Sequence, residues 1–310
     1  MKTYHIPVLV KEVIENISLK PGGIYVDGTV GAGGHSRAML EHQTEISLFC
    51  FDQDMEAIRQ AQKTLIPFRK NVHFFHDNYQ NFRTRLALEK ITKIDGILLD
   101  LGVSQNQIFS GRRGFSFMQE GPLDMRMNQK TNLQAWDLIN KEESDSLVKI
   151  FSEYGEERYS RRIAQRIVQE RCKTPINTTK RLAEIIEHSI PMQEQKIITK
   201  TKARIFQALR IAVNNELEIL ELTLNDCLHA LNKGGRMLII SWHSLEDRMV
   251  KAFMRKESGK CQCPLEIPIC VCNYPAKLKT ITTKAIVPQE QEKQENVYAR
   301  SAKLRVAERI

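Results

Sequence analysis

The fold of this chain is decided by one stretch near its N-terminus, Ile24-Tyr25-Val26-Asp27-Gly28-Thr29-Val30-Gly31-Ala32-Gly33-Gly34-His35-Ser36. A short apolar run ends in an aspartate and passes directly into a loop that has four glycines in seven positions. Glycines in such a loop let the backbone turn sharply and approach a ligand closely. Residues 36–40 look like the start of a helix. The stretch therefore predicts a strand, a ligand-binding turn and a helix in succession.

Three more apolar runs in the first hundred residues also end in aspartates. They are 47–51 before Asp52, 72–76 before Asp77 and 97–99 before Asp100. Runs of this length and composition, separated by helical stretches, indicate parallel strands of a βαβ series that are buried on both faces. Because the carboxyl ends of parallel strands share one edge, where open α/β sheets bind ligands, we expect four aspartates to gather there. The alternative is that these aspartates only cap helices.

The glycine loop differs from that of a dinucleotide site. The G-x-G-x-x-G pattern begins at Gly31, but its third glycine is replaced by Ser36. Asp52 follows at the end of the next strand, where an acid binds ribose hydroxyls, and Tyr79 could stack on an adenine. A ribose acid, an adenine pocket and no phosphate clamp favour S-adenosylmethionine as the ligand. A nicotinamide-dependent oxidoreductase is the alternative.

Length and composition indicate a globular protein of one large domain or two modest ones, with 310 residues of which 42% are hydrophobic and 27% charged. We expect a cytoplasmic protein with no membrane partner, since the sequence has neither a long apolar run nor a signal-peptide pattern. The net charge of +9 is uneven, because residues 155–215 and 248–310 each carry 13 Lys/Arg and 6 Asp/Glu. Such positively charged segments favour binding of a polyanionic substrate. The alternative is that the charges only form solvated faces of helices.

The strand pattern stops after Asp100 and resumes at 237–241, the predicted fifth strand. We therefore predict a main domain formed by 1–107 and 203–310, and an inserted, mostly helical substrate-recognition domain at 108–202. Within the insertion, an apolar stripe repeats every four residues at Tyr159, Ile163 and Ile167. Thr178 is predicted to cap the next helix. A long helix is predicted from about 203 to 231, ended by Gly234-Gly235.

Two glycine-containing segments, 112–117 and 121–127, combine cations with aromatic and apolar side chains. Arginine and phenylalanine can stack on splayed bases, and arginine can pair with phosphates. The candidates for RNA contact are Arg113, Phe115, Arg126, Arg158 and Arg162. The last two belong to the arginine-rich segment that carries the apolar stripe. The alternative is a structural loop whose phenylalanine and methionine side chains only pack against the domain beneath it.

The segment after the fifth strand holds a second candidate group. Ser244 is predicted to cap the following helix, with Asp247 as the capping-box acid. His243 could face a target base, or could only support the site by hydrogen bonding.

Four cysteines form two C-x-C pairs, and we predict no metal at them. A one-residue gap strains tetrahedral chelation, so reduced thiols are expected and structural zinc is the alternative. The four residues are Cys261, Cys263, Cys270 and Cys272.

Several long motifs in order resemble the MraW/RsmH family of bacterial ribosomal RNA methyltransferases over nearly the whole length. They lie at 5–9, 27–36, 95–104, 113–117, 121–127, 154–158, 206–211, 244–248 and 300–305. The resemblance implies an α/β class I (Rossmann-like) S-adenosylmethionine methyltransferase sheet with an inserted helical domain. It also implies N4-methylation of a decoding-centre cytidine in 16S rRNA of the small ribosomal subunit, with no obligate protein partner evident.

The resemblance also implies which residues contact the cofactor. They are Gly33, Gly34, His35, Asp52, Tyr79, Asp100 and Gln107. This chain differs from many relatives at two positions that often hold phenylalanine, Tyr79 and Trp242.

The implied reaction requires help for a weak nucleophile. The lone pair of the cytosine amino nitrogen is delocalised into the ring, so positioning should supply much of the catalysis. A group that accepts a hydrogen bond from this amine would take charge as it develops. Asp100 is the first candidate and His243 the second, although Asp100 could instead only hold the cofactor. A non-enzymatic RNA-binding or ribosome-assembly factor is the remaining alternative function.

Overall fold

The computed structural model describes residues 7–260 and 274–310. The chain divides into two compact units, which we call the sheet unit, Met1–Gly102 with Leu217–Ile310, and the helical unit, Val103–Glu216. These boundaries differ from the expected ones at 107/108 and 202/203. The second boundary lies later because helix Ile198–Asn214 places Ile205 and Leu209 in the core of the helical unit.

The sheet unit contains one seven-stranded sheet in the order β3-β2-β1-β4-β5-β7-β6. The strands are β1 Ile24–Asp27, β2 Ser47–Asp52, β3 Val72–His76, β4 Ile94–Asp100, β5 Leu231–Ser241, β6 Leu278–Thr280 and β7 Lys303–Arg309. Strands β1 to β5 are parallel, and β7 is antiparallel to both of its neighbours. The predicted Rossmann-like α/β sheet is confirmed. The strand order reverses beside β1, which makes that edge the topological switch point where such sheets bind ligands.

As expected, helices alternate with strands up to β4, and a run of helices without strands then fills the chain between β4 and β5. The helices of the described residues are α1 Val10–Ile17, α2 Gly34–His42, α3 Met55–Thr64, α4 Phe82–Leu88, α5 Gln105–Phe109, α6 Ala135–Lys141, α7 Ser144–Glu153, α8 Ser160–Arg171, α9 Thr179–Ser189, α10 Ile198–Asn214, α11 Glu216–Ala230, α12 Ser244–Glu257 and α13 Glu290–Glu295. Among these residues, no helix combines the length and apolar character needed to cross a bilayer.

Both faces of the sheet are covered, because successive strand residues point to opposite sides. Tyr25 and Leu98 pack in one core with α1, α2 and α3. Val26 and Leu99 pack in the other core with α4, α11 and α12. Strand β3 was predicted to be buried on both faces, but four of its five residues are partly or fully exposed. The reason is that β3 lies at the edge of the sheet.

The helical unit has its own apolar core. Ile163 and Ile167 of the predicted stripe are buried in it, and Tyr159 packs against it while partly exposed. The predicted cap of α9 is confirmed, since the Thr178 hydroxyl accepts a hydrogen bond from the backbone N–H of Arg181 at 3.2 Å.

The long helix predicted from about 203 to 231 is wrong. The structure has α10 and α11 instead, separated by Asn215 in the left-handed region at φ 50°. Asparagine tolerates this conformation better than most residues, which explains the break. The helix also ends before Gly234-Gly235, which lie inside β5.

Candidate functional site

The glycine loop is fastened across the switch point by its own backbone. The N–H of Gly28 donates to the carbonyl of Leu98 in β4 at 2.9 Å, and the N–H of Val30 donates to Phe51 in β2 at 2.9 Å. A Cβ added to Gly28 would lie 2.4 Å from Leu99 Cδ2 and 3.1 Å from Tyr79 Cβ, so a side chain there would force its neighbours to shift. The loop therefore lies directly against the carboxyl ends of three strands.

The paired glycines of the loop have different structural roles. Gly33 has φ 86° and is the residue before α2, a left-handed conformation that favours glycine. Gly34 is constrained by packing, because a Cβ there would lie 2.7 Å from Pro7 Cγ. Gly33 thus allows the turn before α2, and Gly34 allows the N-terminal segment to pack closely against the loop.

Asp52 connects the end of β2 to the glycine loop. Its carboxylate accepts backbone hydrogen bonds from Gly31 at 3.0 Å and from Asp54 at 2.8 Å. Asp52 does not cap α3, since Asp54 is the capping residue and accepts from the N–H of Glu56. Burial raises the pKa of Asp52 to about 7. A carboxylate has about four lone-pair positions, so this one can still accept hydrogen bonds from hydroxyl groups.

Asp100 is oriented by residues far away in sequence. Its Oδ1 accepts a hydrogen bond from the indole Nε1–H of Trp242 at 2.9 Å, and its backbone N–H donates to Thr29 Oγ1 at 2.7 Å. His35 Nδ1 lies 3.8 Å from Asp100 Oδ2, and His35 Nε2 lies 2.9 Å from the carbonyl of Val8. A phenylalanine at position 242 would lack the donor. The tryptophan of this chain therefore orients the Asp100 carboxylate through a hydrogen bond that was not predicted from the sequence.

Asp27 forms part of the wall of the site. It is 1% exposed, and it accepts hydrogen bonds from the Ser36 hydroxyl at 2.6 Å and from the N–H of Thr29 at 3.2 Å. Burial raises the pKa of Asp27, and the nearby Asp100 adds to the shift. These contacts tie β1 to α2 and shape the loop from inside.

Tyr79 and Asp77 follow β3, and only the first lies against the glycine loop. A Cβ on Gly28 would meet Tyr79 Cβ at 3.1 Å, and Tyr79 is partly buried against the core that contains Val26 and Leu99. Asp77 is engaged locally, because it accepts hydrogen bonds from Asn81 and Arg85. Burial raises the pKa of Asp77, but these hydrogen bonds outweigh that effect and lower it. Asp77 is not the cap of α4, which begins after Asn81, so it fits neither the capping alternative nor a free ligand-binding carboxylate.

His243 differs from its predicted setting. The cap of α12 is His243 itself rather than Ser244, and the capping-box acid is Glu246 rather than Asp247. Its Nδ1 accepts from the N–H of Glu246 at 3.4 Å, and its Nε2 lies 3.2 Å from Glu246 Oε1. Asp247 instead accepts from Arg305 at 2.6 Å. Both ring nitrogens of His243 thus face Glu246, which favours Asp100 as the group that contacts a substrate.

Six of the predicted site residues lie in the helical unit, and the first three along the chain are packed or bonded within it. Gln107 is 7% exposed, and its side-chain oxygen accepts from the N–H of Ser104 at 3.0 Å. Arg113 is 5% exposed and donates to the carbonyls of Arg126 and Met127. Phe115 packs on the core of the unit. The guanidinium of Arg113 is therefore used to hold the loop together.

The remaining arginines differ in how they are bonded. Arg126 binds both oxygens of Asp124, at 2.7 and 2.9 Å. Arg158 donates to Glu194 and to Tyr159. Arg162 is exposed on α8, and within residues 7–260 and 274–310 it has no ion-pair partner. Of the five predicted RNA contacts, Arg162 thus has the guanidinium best placed to bind phosphate. The four cysteines at 261, 263, 270 and 272 lie outside the described residues.

Comparison with known proteins identifies relatives along the entire chain. The model of the MraW methylase family matches residues 2–310. The Ribosomal RNA small subunit methyltransferase H of Clostridioides difficile (strain 630) is 44% identical over 311 residues, covering 100% of both chains. The protein of that name from Carboxydothermus hydrogenoformans is 44% identical over 310 residues, covering 100% of this chain and 99% of its own. The crystal structure of an rRNA methylase from Streptococcus thermophilus superposes with a TM-score of 0.39 at 10% identity, covering 99% of each chain. The sequence likeness therefore includes both the sheet unit and the helical unit.

Proposed function

Because this chain belongs to the MraW methylase family, we propose that it methylates N4 of a decoding-centre cytidine in 16S rRNA of the small ribosomal subunit. The methyl donor is S-adenosylmethionine. The observation that carries the site assignment is the placement of Asp52 and Asp100 on either side of a glycine loop at the switch point. The relatives named as small-subunit rRNA methyltransferases support the substrate class.

The residues at this edge fit the cofactor. Its ribose has two hydroxyl donors, for which the partly exposed carboxylate of Asp52 is a suitable acceptor. Its adenine can stack on the ring of Tyr79, which follows β3 and lies against the glycine loop. When bound, S-adenosylmethionine supplies an electrophilic methyl group on a sulfonium ion. The negative charge of the strand-end acids favours a ligand with that positive charge.

We assign Asp100 the role of accepting a hydrogen bond from the amino group of the target cytosine. Trp242 and Thr29 fix its carboxylate and backbone, so little reorganisation is needed when charge develops on the nitrogen. The base has to leave its stack to reach this position. Gln107 stays a proposed cofactor contact by family resemblance.

A methylation assay tests the proposed function directly. Assembled small subunits and free 16S rRNA lacking the modification are incubated with the protein and methyl-labelled S-adenosylmethionine. Ribonuclease fragments of the rRNA are then analysed by mass spectrometry to locate the label, and a nucleoside digest identifies the modified base. We expect N4-methylcytidine at one decoding-centre position. Label on another base, or none on either substrate with a protein that binds the cofactor, would contradict the proposal. A thermal shift with NAD and none with S-adenosylmethionine would instead favour the oxidoreductase alternative.

Cofactor affinity is expected to rise with pH until about pH 7 and then level off. The pKa of Asp52 is raised to about 7 by burial, and a hydroxyl that donates to this group binds its ionised form better. Below the pKa, binding must release a proton, so affinity should fall by up to about tenfold per pH unit. Titration calorimetry in buffers of different ionisation enthalpy measures that release. The matched variant Asp52→Asn should show none, and a pH-independent wild-type affinity would count against the assignment.

Two neighbouring arginines give a matched test of RNA binding by the helical unit. Arg162→Gln should weaken rRNA binding and reduce the slope of log affinity against log salt by about 0.7–0.9, the value for one phosphate contact. Arg158→Gln should have a smaller effect, because its guanidinium is already bonded to Glu194. Filter binding at four salt concentrations measures both slopes. Equal slopes for Arg162→Gln and wild type would remove α8 from the RNA interface.

A further inference from the structure

A basic recess on the sheet unit lies apart from the strand-end carboxylates. It is formed by α12 and by the chain that follows β6, and its volume is about 260 Å³. Small-molecule sites typically have volumes of about 300–1,000 Å³, so the recess suits part of an extended ligand better than a whole small molecule. The lining residues that matter here are Lys251, Arg255, Lys260, Thr280, Thr282 and Thr283.

Three cations of the recess are available to a ligand. Lys251, Arg255 and Lys260 are exposed, and none of them has an ion-pair partner in the part of the chain that the structure describes. Most of the charged side chains packed nearby are already paired. Arg305, which also lines the recess, is bonded to Asp247, and Asp247 is also bonded to Lys303 at 3.1 Å. The recess therefore keeps a positive charge that no described carboxylate in its lining offsets.

The other wall of the recess carries hydroxyl groups on fixed backbone. Thr282 is buried and its hydroxyl accepts from the N–H of Val306 at 2.9 Å, which holds this segment beside β7. Thr280 and Thr283 are partly or fully exposed on either side of it. Lysine, arginine and threonine side chains are the usual partners of nucleic-acid phosphates. The combination is suited to a phosphodiester backbone.

The position of the recess is compatible with a nucleic acid that also reaches the cofactor edge. Helix α12 begins just after β5 ends at that edge. At 1.5 Å per residue, Lys251 and Arg255 lie roughly 10 and 16 Å along the helix from Ser244. An RNA strand that follows α12 would thus contact these cations at some distance from the reacting base.

We propose that this recess binds the phosphodiester backbone of the RNA substrate, as a contact of the sheet unit in addition to those of the helical unit. The inference rests on the proposed function only in taking RNA as the substrate. It assigns no chemistry to the recess, which holds the RNA without touching the reacting atoms.

The test compares two triple variants with the same change in charge. One carries Lys251→Gln, Arg255→Gln and Lys260→Gln. The control carries Lys63→Gln, Arg59→Gln and Lys70→Gln, which are exposed, lack an ion-pair partner among the described residues and flank β3 at the opposite edge of the sheet. Binding of a 16S rRNA fragment is measured over a range of salt concentrations, and cofactor binding is measured by calorimetry.

We expect the recess variant to lose about 2–3 in the slope of log affinity against log salt, the value for three phosphate contacts. The control should lose much less, and both variants should bind S-adenosylmethionine like wild type. An unchanged slope in the recess variant, or an equal loss in the control, overturns the inference while wild-type methylation leaves the proposed function standing. A wild-type protein that neither binds nor methylates the rRNA overturns both.

Discussion

Replacing Asp52 by alanine is expected to weaken S-adenosylmethionine binding by about 10- to 150-fold. The carboxylate is proposed to accept from ribose hydroxyls, and hydrogen bonds to a charged group contribute about 1.5–3 kcal/mol. The change also removes the acceptor for the N–H groups of Gly31 and Asp54, so the glycine loop keeps its backbone bond to Phe51 but loses its side-chain bond to β2. Calorimetric titration with the cofactor measures the effect.

Asp95 provides a matched control for this variant. It lies near the start of β4, at the amino ends of the parallel strands and therefore far from the strand-end carboxylates. It accepts hydrogen bonds from the N–H of Ile24 and from Asn232. Asp95→Ala should lower the melting temperature without changing cofactor affinity more than about twofold, because the contacts it removes are remote from the glycine loop. An Asp52→Ala protein that is folded and binds the cofactor like wild type would refute the ribose assignment.

Replacing Asp100 by asparagine is expected to lower kcat by on the order of 10²–10³. The substitution keeps the shape and the acceptor for Trp242 but removes the charge that we propose stabilises the developing positive charge on the amino nitrogen. Single-turnover methylation at saturating cofactor isolates this step from binding. A raised dissociation constant for the cofactor with an unchanged turnover rate would show that Asp100 only holds the cofactor.

The two tryptophans of the chain give a graded version of the same test. Trp242→Phe keeps an aromatic ring and removes the N–H that orients Asp100, so we expect a smaller loss in kcat, roughly 3- to 10-fold. Trp136 is the control, because its Nε1–H donates to Asn177 in the helical unit. Trp136→Phe should leave kcat unchanged. Equal activities for the two phenylalanine variants would remove Trp242 from the positioning of Asp100.

Much of the site could be predicted because its signals are local. The strand that ends in Asp27, the glycines at 31 and 33, and the carboxyl-terminal position of Asp52 follow from short patterns in the sequence. The cap at Thr178 also depends on a contact only three residues away. Each of these is set by backbone geometry that neighbouring residues determine.

The errors have physical causes that short patterns do not reveal. The capping box of α12 lies one residue earlier than predicted, because the imidazole of His243 takes the role assigned to a serine. The helix break at Asn215 interrupts a continuous apolar repeat, and the repeat itself contains no signal for it. Arg113 was expected to bind RNA because its loop combines glycine, cations and aromatic side chains. Its guanidinium is instead buried and bonded to main-chain carbonyls.

By itself, the sequence determined the parallel βαβ series, the ligand-binding edge and the chemistry gathered there, because hydrophobic period and turn residues act over a few positions. Only the tertiary structure decided that Trp242 donates to Asp100, that β7 inserts between β5 and β6, and which of the predicted arginines are already bonded within the protein. Those outcomes join segments up to 142 residues apart. Such pairings depend on how the helices and strands pack, and a polar side chain is available to a ligand only when packing has not already given it a partner.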